Sequence, residues 1–158
     1  MSKAVLGVDI GGVLFKDDTD TPANGERMGP PVTGALESLA RLSRAKFGAE
    51  IYFISKCGAN MQMNTIRRLR EHRVFEMVGI PDHHLTFCVN RADKVDLTRQ
   101  LHVTHHIDDR LEILALLKKV SKRILFCPNM AEVERHKEHL PSTVRADSWD
   151  DVVRLILG

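Results

Sequence analysis

The stretch AVLGVDIGGVLF, residues 4–15, decides the interpretation of the whole chain. Its apolar run ends at Asp9, and two glycines, Gly11 and Gly12, follow soon after the carboxylate. An apolar run of this length is typical of a strand that is covered on both faces, as in a parallel sheet. Such sheets bind ligands beyond the carboxyl ends of their strands, so Asp9 marks a candidate site.

Short apolar runs and longer amphipathic stretches alternate along the chain. The runs that we predict to be strands cover residues 4–10, 50–55, 85–89, 102–107 and 123–127. The stretches with helical spacing of apolar residues cover 34–45, 61–72, 96–101, 110–120, 130–140 and 148–157. This alternation predicts an α/β fold with a mainly parallel, Rossmann-like sheet. We expect residues 1–158 to form a single domain, because this length suits one hydrophobic core.

Residues 16–31 interrupt the alternation. They are rich in proline and glycine, and their apolar residues follow neither a strand nor a helix period. A long irregular loop in a compact domain is usually either functional or disordered. Because this loop leaves the end of the first predicted strand, we expect it to cover the site.

The composition excludes several classes of protein. Hydrophobic residues make up 43% of the 158 residues, which is ordinary for a globular domain, and no apolar run reaches the ~20 residues of a membrane span. We therefore expect no contact with membranes and no leader before Ala4. The formal net charge of +2 gives little support for binding nucleic acid. Cys57, Cys88 and Cys127 lie among apolar residues, so we expect buried free thiols in a reducing compartment and a cytoplasmic protein.

Two other classes share the opening motif. A dinucleotide fold requires glycines spaced as G-x-G-x-x-G, and this stretch has them at 7, 11 and 12 instead. GVDIGG, residues 7–12, also resembles the first phosphate-binding segment of the actin-like and hexokinase-like ATPases. Those proteins carry Thr or Ser where this chain has Val13, and they need two domains. Both interpretations are therefore set aside.

Four motifs occur in the order, and at the strand ends, that are typical of the haloacid dehalogenase superfamily of phosphohydrolases. They are VDIGGVL with Asp9, YFISKCG with Ser55, NRADKVD with Lys94, and HHIDDRLEIL with Asp108 and Asp109. Each motif is short, but together they span most of the chain, which therefore resembles this superfamily. No insertion of cap-domain size separates them, so the chain looks like a capless member. The resemblance implies a three-layer α/β/α sandwich.

The resemblance also implies a reaction and a cofactor. Asp9 would attack phosphorus and form an aspartyl-phosphate that water then hydrolyses. A carboxylate that attacks a phosphate dianion requires a cation with oxygen ligands, and Mg²⁺ is such a cation. The implied magnesium ligands are Asp9, the backbone carbonyl of Gly11, Asp108 and Asp109. The implied catalytic residues are Asp9, Ser55 and Lys94, and the implied contacts to the phosphorylated substrate come from Gly12, Ser55, Lys56 and Lys94.

Gly11 departs from the superfamily pattern, which has a second Asp at this position. That Asp protonates the leaving oxygen and then activates water, and loss of such a group costs about 10²–10⁴ in rate. We therefore predict a Mg²⁺-dependent phosphatase of weak or altered activity. The alternative is an impaired domain that binds a phosphorylated ligand or a protein partner. Asp17 or Asp18 could reach back to replace the acid, but charged loop residues are mostly exposed, which favours solvated side chains.

Overall fold

A computed structural model describes residues 3–17 and 28–158. The strands are β1 (Leu6–Val8), β2 (Phe15–Asp17), β3 (Met28–Pro31), β4 (Ile51–Lys56), β5 (Leu85–Cys88), β6 (His105–Asp108), β7 (Lys122–Phe126) and β8 (Val144–Ala146). The helices are α1 (Ala35–Leu42), α2 (Ala59–Glu71), α3 (Val74–Val78), α4 (Arg91–Gln100), α5 (Leu111–Leu116), α6 (Met130–Arg135) and α7 (Trp149–Leu157). A π-helical turn (Ser43–Phe47) follows α1, and a 3₁₀ helix (Lys137–Ser142) follows α6.

Six parallel strands form the central sheet, in the order β5-β4-β1-β6-β7-β8. In the middle, Leu6 of β1 pairs with Ile51 of β4 on one side and with His105 of β6 on the other. The chain builds outward from β1 through β4 to β5, and then crosses to the other side of β1 to form β6. The connections that leave the neighbouring strands β1 and β6 therefore run in opposite directions along the sheet, and such a divergence opens a crevice at the carboxyl ends of the two strands.

Hydrophobic clusters cover both faces of the sheet. One cluster contains Leu39 of α1 and Val152 of α7, together with residues of α2 and α3. The cluster on the opposite face contains Leu114 of α5 and Val133 of α6, and α4 packs against it. The predicted three-layer α/β/α architecture with a mainly parallel sheet is confirmed. No helix within the described ranges is both long and apolar enough to cross a membrane.

The five predicted strands correspond to β1, β4, β5, β6 and β7. Strand β8 and helix α3 were not predicted. The expectation of an irregular loop at 16–31 is wrong where the structure describes it, because β2 and β3 pair as an antiparallel hairpin. Residues 18–27 of that loop lie outside the described residues. That residues 1–158 form a single domain stays a prediction.

Helix α4 begins five residues earlier than the predicted stretch 96–101. Asn90 provides the reason, because its side chain accepts the Asp93 N–H at 2.9 Å while the Asp93 carboxylate accepts the Asn90 N–H at 3.4 Å. This reciprocal cap satisfies two backbone donors at the start of the helix. It also places Lys94 in the first turn of α4, near the carboxyl ends of the strands. The predicted helices 110–120 and 130–140 are shorter, ending at Leu116 and Arg135.

The three cysteines are free and differ in exposure. Cys88 is buried, Cys57 is half-buried and Cys127 is exposed. The expectation that all three thiols are buried is therefore wrong for Cys127. This residue follows β7 at a turn with a φ of 40°, so its side chain leaves the sheet instead of continuing the buried run.

The β2–β3 hairpin is fixed beside the end of β1. The Phe15 carbonyl accepts the Gly12 N–H at 2.8 Å, which turns β2 back toward the loop after β1. Arg68 of α2 donates to the Gly29 carbonyl of β3 at 2.7 Å, and its guanidinium lies 5.5 Å from the centre of the Phe15 ring. The hairpin therefore lies between the end of β1 and α2, at the edge of the crevice.

Gly7 in β1 allows the side chain of His106 in β6 to approach the backbone. A Cβ atom at Gly7 would lie 2.5 Å from His106 Nδ1 and 3.3 Å from a methyl group of Val103. His106 is fully buried, and its Nε2 lies 3.3 Å from Asp108 Oδ2. A side chain at Gly7 would therefore displace a residue that contacts Asp108 at the end of β6.

We expect Gly7→Ala to lower the free energy of unfolding by about 1–3 kcal/mol, because overpacking of a core forces its neighbours to move. Gly58→Ala is the matched control, since a Cβ atom there would meet nothing within 4 Å. Its expected cost is below about 1 kcal/mol, because the N-cap residue Gly58 makes no side-chain cap that the substitution could remove. Urea denaturation of both variants measures the difference, and equal losses would contradict the steric argument.

Candidate active site

The carboxyl ends of β1, β4 and β6 surround a cavity of about 220 Å³. Asp9 follows β1, Ser55 lies near the end of β4, and Asp108 ends β6. The lining contains these three residues together with Gly11, Lys56, Lys94 and Asp109, so the structure brings together the predicted site residues with one difference. Gly12, which was expected to contact substrate, does not line the cavity, and the Asp109 carboxylate lies against it.

Lys94 joins the two carboxylates that come from neighbouring strands. Its Nζ donates to Asp108 Oδ2 at 2.8 Å and to Asp9 Oδ1 at 3.3 Å, and its side chain is only 2% exposed. Burial alone would lower the pKa of Lys94, but the charges of Asp108 and Asp9 outweigh it and raise that pKa. The ammonium therefore stays charged at neutral pH and binds both carboxylates.

Asp108 is the ionised member of the cluster. Burial alone would raise its pKa, but the charge of Lys94 and the hydrogen bond from His106 outweigh it and hold the pKa well below the ordinary value. The other oxygen, Oδ1, accepts the Arg110 N–H at 3.1 Å. Burial lowers the pKa of His106, so its imidazole is neutral and donates through Nε2. Its Nδ1 finds no partner within the part of the chain that the structure describes.

Asp9 and Asp109 are the carboxyl groups of the cluster whose ionised forms are disfavoured in the metal-free chain. Burial and the nearby Asp108 raise the pKa of Asp9 to about 6, against the opposing attraction of Lys94. Burial, followed by repulsion from Asp9 and Asp108, raises the pKa of Asp109 to about 9. Gly12 allows Asp109 to lie this close, because a Cβ atom there would clash with the carboxylate and its φ of 78° disfavours other residues.

The donor atoms fit a hard divalent cation. Oxygens of Asp9, Asp108 and Asp109 lie within 4.8 Å of one another. When all three carboxylates are ionised, the single ammonium of Lys94 leaves two negative charges for a divalent cation to neutralise, and carboxylate oxygens are ligands that Mg²⁺ prefers. Gly11, whose carbonyl is the remaining expected ligand, lines the same cavity. The residues present are therefore compatible with magnesium.

The strand β4 and the turn after it add further polar groups to the lining of the cavity. Ser55 is buried with its Oγ 3.8 Å from Cys57 Sγ, so its hydroxyl has no strong protein acceptor among the described residues. Lys56 is exposed at the rim. Burial raises the pKa of Cys57, which keeps it a thiol at neutral pH. This part of the lining therefore offers a hydroxyl and an ammonium in addition to the carboxylate cluster.

A second acidic cluster, formed by Glu112, Glu132 and His136, was not predicted. The buried carboxylate of Glu132 accepts the N–H groups of Leu111 and Glu112 at 2.8 and 2.9 Å, at the start of α5. Glu112 pairs with Arg91 at 2.6 Å and with His136 at 3.3 Å. These contacts explain the cluster as a helix cap, and they fix the start of α5 directly after the acidic pair that ends β6.

Asp17 was expected to be a solvated loop charge. The residue is exposed, as expected, but its carboxylate lines the cavity. A Cβ atom at Gly11 would lie 3.3 Å from Asp17 Oδ1, and partial burial raises the pKa of Asp17. No sequence signal gives this position, because it depends on the register of the hairpin. Asp18, the other residue considered for this role, lies outside the described residues.

Comparison with known proteins adds one finding. No family model and no curated protein sequence matches the chain. Among solved structures, it is similar to a D,D-heptose 1.7-bisphosphate phosphatase from B. bronchiseptica, complexed with magnesium and phosphate. The identity is 14% and the TM-score 0.67, over 99% of this chain and 98% of the other. This likeness confirms the haloacid dehalogenase-like fold that the motifs implied.

The raised pKa of Asp109 predicts how stability depends on pH. Because the folded pKa of about 9 exceeds the ordinary 3.8, the folded state holds the proton more tightly than the unfolded state. The stabilising effect of this proton is complete below about pH 4 and is lost as the pH rises through about 9. In metal-free buffer, we therefore expect Asp109→Asn to gain stability over the wild type as the pH rises.

Urea midpoints at about pH 5 and pH 8.5 measure this difference, and the comparison cancels the contributions of other groups such as His105 and His106. Asp82→Asn, an exposed carboxylate remote from the cavity, is the control and should track the wild type at both pH values. A difference between Asp109→Asn and the wild type that does not change with pH would contradict the crowding of carboxylates.

Proposed function

We propose that the chain is a Mg²⁺-dependent phosphohydrolase in which Asp9 is the nucleophile. The observation that carries this proposal is the cluster of Asp9, Asp108 and Asp109, with a single buried ammonium, Lys94, between the first two. Such a cluster is compatible with a divalent cation and an anionic substrate beside a free carboxylate oxygen. The similar fold of a phosphatase complexed with magnesium and phosphate supports the same class of reaction.

The proposed cation ligands are carboxylate oxygens of Asp9, Asp108 and Asp109 and the carbonyl oxygen of Gly11. Magnesium bound by these residues supplies a Lewis acid for a phosphoryl oxygen. Its positive charge also favours the ionised forms of Asp9 and Asp109, whose pKa values are raised in the metal-free chain. Binding of the cation is therefore expected to release protons near neutral pH.

Each of the residues around the cavity has a separate role in the proposed reaction. An oxygen of Asp9 attacks phosphorus while the bond from phosphorus to the leaving oxygen breaks. Lys94, 3.3 Å from Asp9 Oδ1, favours the ionised nucleophile and holds it in place. Ser55 and Lys56 are proposed to donate to the phosphoryl oxygens, and backbone at Gly12 supports the loop beside them. Water then attacks the phosphorus of the aspartyl-phosphate and restores the Asp9 carboxylate.

The leaving group determines whether this reaction requires a proton donor. An alkoxide requires a proton as it departs, whereas an acidic phenol or a carboxylic acid leaves without one. Gly11 has no side chain to supply that proton. We therefore expect aryl and acyl phosphates to react faster than alkyl phosphates. The weak or altered activity inferred from Gly11 is part of this proposal.

A second candidate function rests on the same residue. If Gly11 abolishes turnover, the cluster and the cavity would still suit an impaired domain that binds a phosphorylated ligand or a protein partner. Retention of Asp9, Ser55, Lys94, Asp108 and Asp109 favours the hydrolase, since only one motif position differs. The candidates differ in one measurable property, the release of inorganic phosphate.

Phosphate release from an aryl phosphate with an acidic phenol tests the proposal. The wild type should release phosphate in the presence of Mg²⁺ and stop when the metal is chelated. Asp9→Asn should fall to background, because an amide is a poor nucleophile, while Asp82→Asn should match the wild type. Circular dichroism verifies that the variants fold. Equal inertness of the wild type and Asp9→Asn would overturn the hydrolase and favour the binding domain.

A further inference from the structure

Asp17 lies beside Gly11, the position at which the candidate site has no side chain to donate a proton. Its Oδ1 lies 3.3 Å from the position that a Cβ atom would take at Gly11, and its Oδ2 lies 3.3 Å from the equivalent position at Gly12. Asp17 also lines the cavity that contains Asp9. Its carboxylate therefore stands next to the space that a side chain at Gly11 would enter.

The backbone of Gly11 does not itself require glycine. Gly12 has a left-handed φ of 78°, but Gly11 is not among the glycines with positive φ. The contact that limits a side chain at Gly11 is the one with Asp17 Oδ1. The absence of a side chain at Gly11 leaves an open space, and the Asp17 carboxylate lies at the edge of that space.

The hairpin holds Asp17 in this position. Asp17 ends β2 and is the cross-strand partner of Met28 in β3. The base of the hairpin is tied to the loop after β1, because the Gly12 N–H donates to the Phe15 carbonyl at 2.8 Å. Arg68 fixes β3 to α2 through the Gly29 carbonyl at 2.7 Å. The register of the hairpin shifts between Phe15 and Asp17, and the contacts on its two strands hold the hairpin beside the loop after β1.

Most of the other polar groups that line the cavity are paired, or are proposed to bind the cation or the phosphoryl oxygens. Lys94 is bound between Asp9 and Asp108. The Thr65 hydroxyl donates to the Met61 carbonyl at 2.7 Å, and Asp109 belongs to the proposed cation ligands. Within the described residues, no hydrogen bond or ion pair joins the Asp17 carboxylate to another side chain. It is therefore the available carboxyl group at this wall.

We propose that Asp17 is the general acid and base for phosphoryl transfer at Asp9, in place of the side chain that Gly11 lacks. This inference rests on the proposed hydrolase function. It assigns to the hairpin a catalytic residue that the motif pattern does not contain. It also predicts that alkyl phosphates are substrates, because their leaving oxygen can be protonated.

The proton transfers balance in two steps. In the first, an Asp9 oxygen forms a bond to phosphorus, the bond to the leaving oxygen breaks, and the Asp17 carboxyl gives its proton to that oxygen, which leaves as an alcohol. In the second, the Asp17 carboxylate takes a proton from water as the water oxygen bonds to the phosphorus. The Asp9–phosphate bond breaks, which releases inorganic phosphate and returns both residues to their starting states.

The test compares kcat/KM for an alkyl phosphate and for an aryl phosphate with an acidic phenol. For the alkyl substrate, Asp17→Asn should lower kcat/KM by about 10²-fold or more, the usual contribution of a positioned acid. For the aryl substrate, the same substitution should lower kcat/KM less than about 10-fold, because the phenol leaves without a proton. Phosphorylated Asp9 should also accumulate in this variant during aryl turnover, as seen by peptide mass spectrometry, because water is no longer activated.

Two further variants isolate the carboxyl group. Lys16→Gln is the matched control on the same strand, and its ratio of alkyl to aryl kcat/KM should equal that of the wild type. The double variant Gly11→Asp/Asp17→Ala returns a carboxyl to the wall from the neighbouring loop. It should recover at least about 10-fold of the alkyl activity that Asp17→Ala loses. Urea midpoints verify that all variants fold.

The outcomes separate this inference from the proposed function. If the wild type releases no phosphate from any substrate, the hydrolase function has failed and the role of Asp17 fails with it. If the wild type is active but Asp17→Asn slows both substrates equally, or neither, the hydrolase stands and the role of Asp17 is overturned. Loss confined to the alkyl substrate, with accumulation of phosphorylated Asp9, supports it.

Discussion

The candidate site depends on the ammonium of Lys94, which is buried between Asp9 and Asp108 and binds both carboxylates. A charge removed from water at this depth is stable only when opposite charges surround it. Two carboxylates pair with Lys94, and Asp109 adds a third that has no such partner. Burial, followed by repulsion between the carboxylates, raises the pKa values of Asp9 and Asp109. The geometry therefore favours a site that is completed by a cation and a substrate anion.

The fold produces this cluster by topology and not by local sequence. Asp9 and Asp108 are close because β1 and β6 are neighbours, although almost a hundred residues separate them in the chain. The crossover that makes them neighbours also directs α4, with Lys94 in its first turn, to the same edge of the sheet. Glu132 then fixes the start of α5 after β6 through two backbone N–H groups. Each contact holds one carboxylate or its partner in place.

Much of this arrangement was predictable from the sequence. Buried parallel strands are apolar on both faces, so β1, β4, β5, β6 and β7 appear as runs, and polar residues at their ends identify Asp9, Ser55 and Asp108. Strand β8 was missed because Val144 and Arg145 are exposed and leave no apolar run. That Asp17, although exposed as expected, lines the cavity was not predicted, because its place depends on a hairpin whose register no local pattern encodes. The exposure of Cys127 was not predicted either, because the turn after β7 has no recognisable sequence signature.

Titration of Mg²⁺ into the metal-free protein, followed by calorimetry and by the melting temperature, tests most directly whether the carboxylate cluster is a cation site. The wild type and Asp82→Asn should bind one ion per chain, and their melting temperature should rise with its concentration by mass action. Asp108→Asn, verified as folded by circular dichroism, should lose most of the binding heat and of the shift. Absence of binding to the wild type, or an unchanged shift in Asp108→Asn, would contradict the assignment.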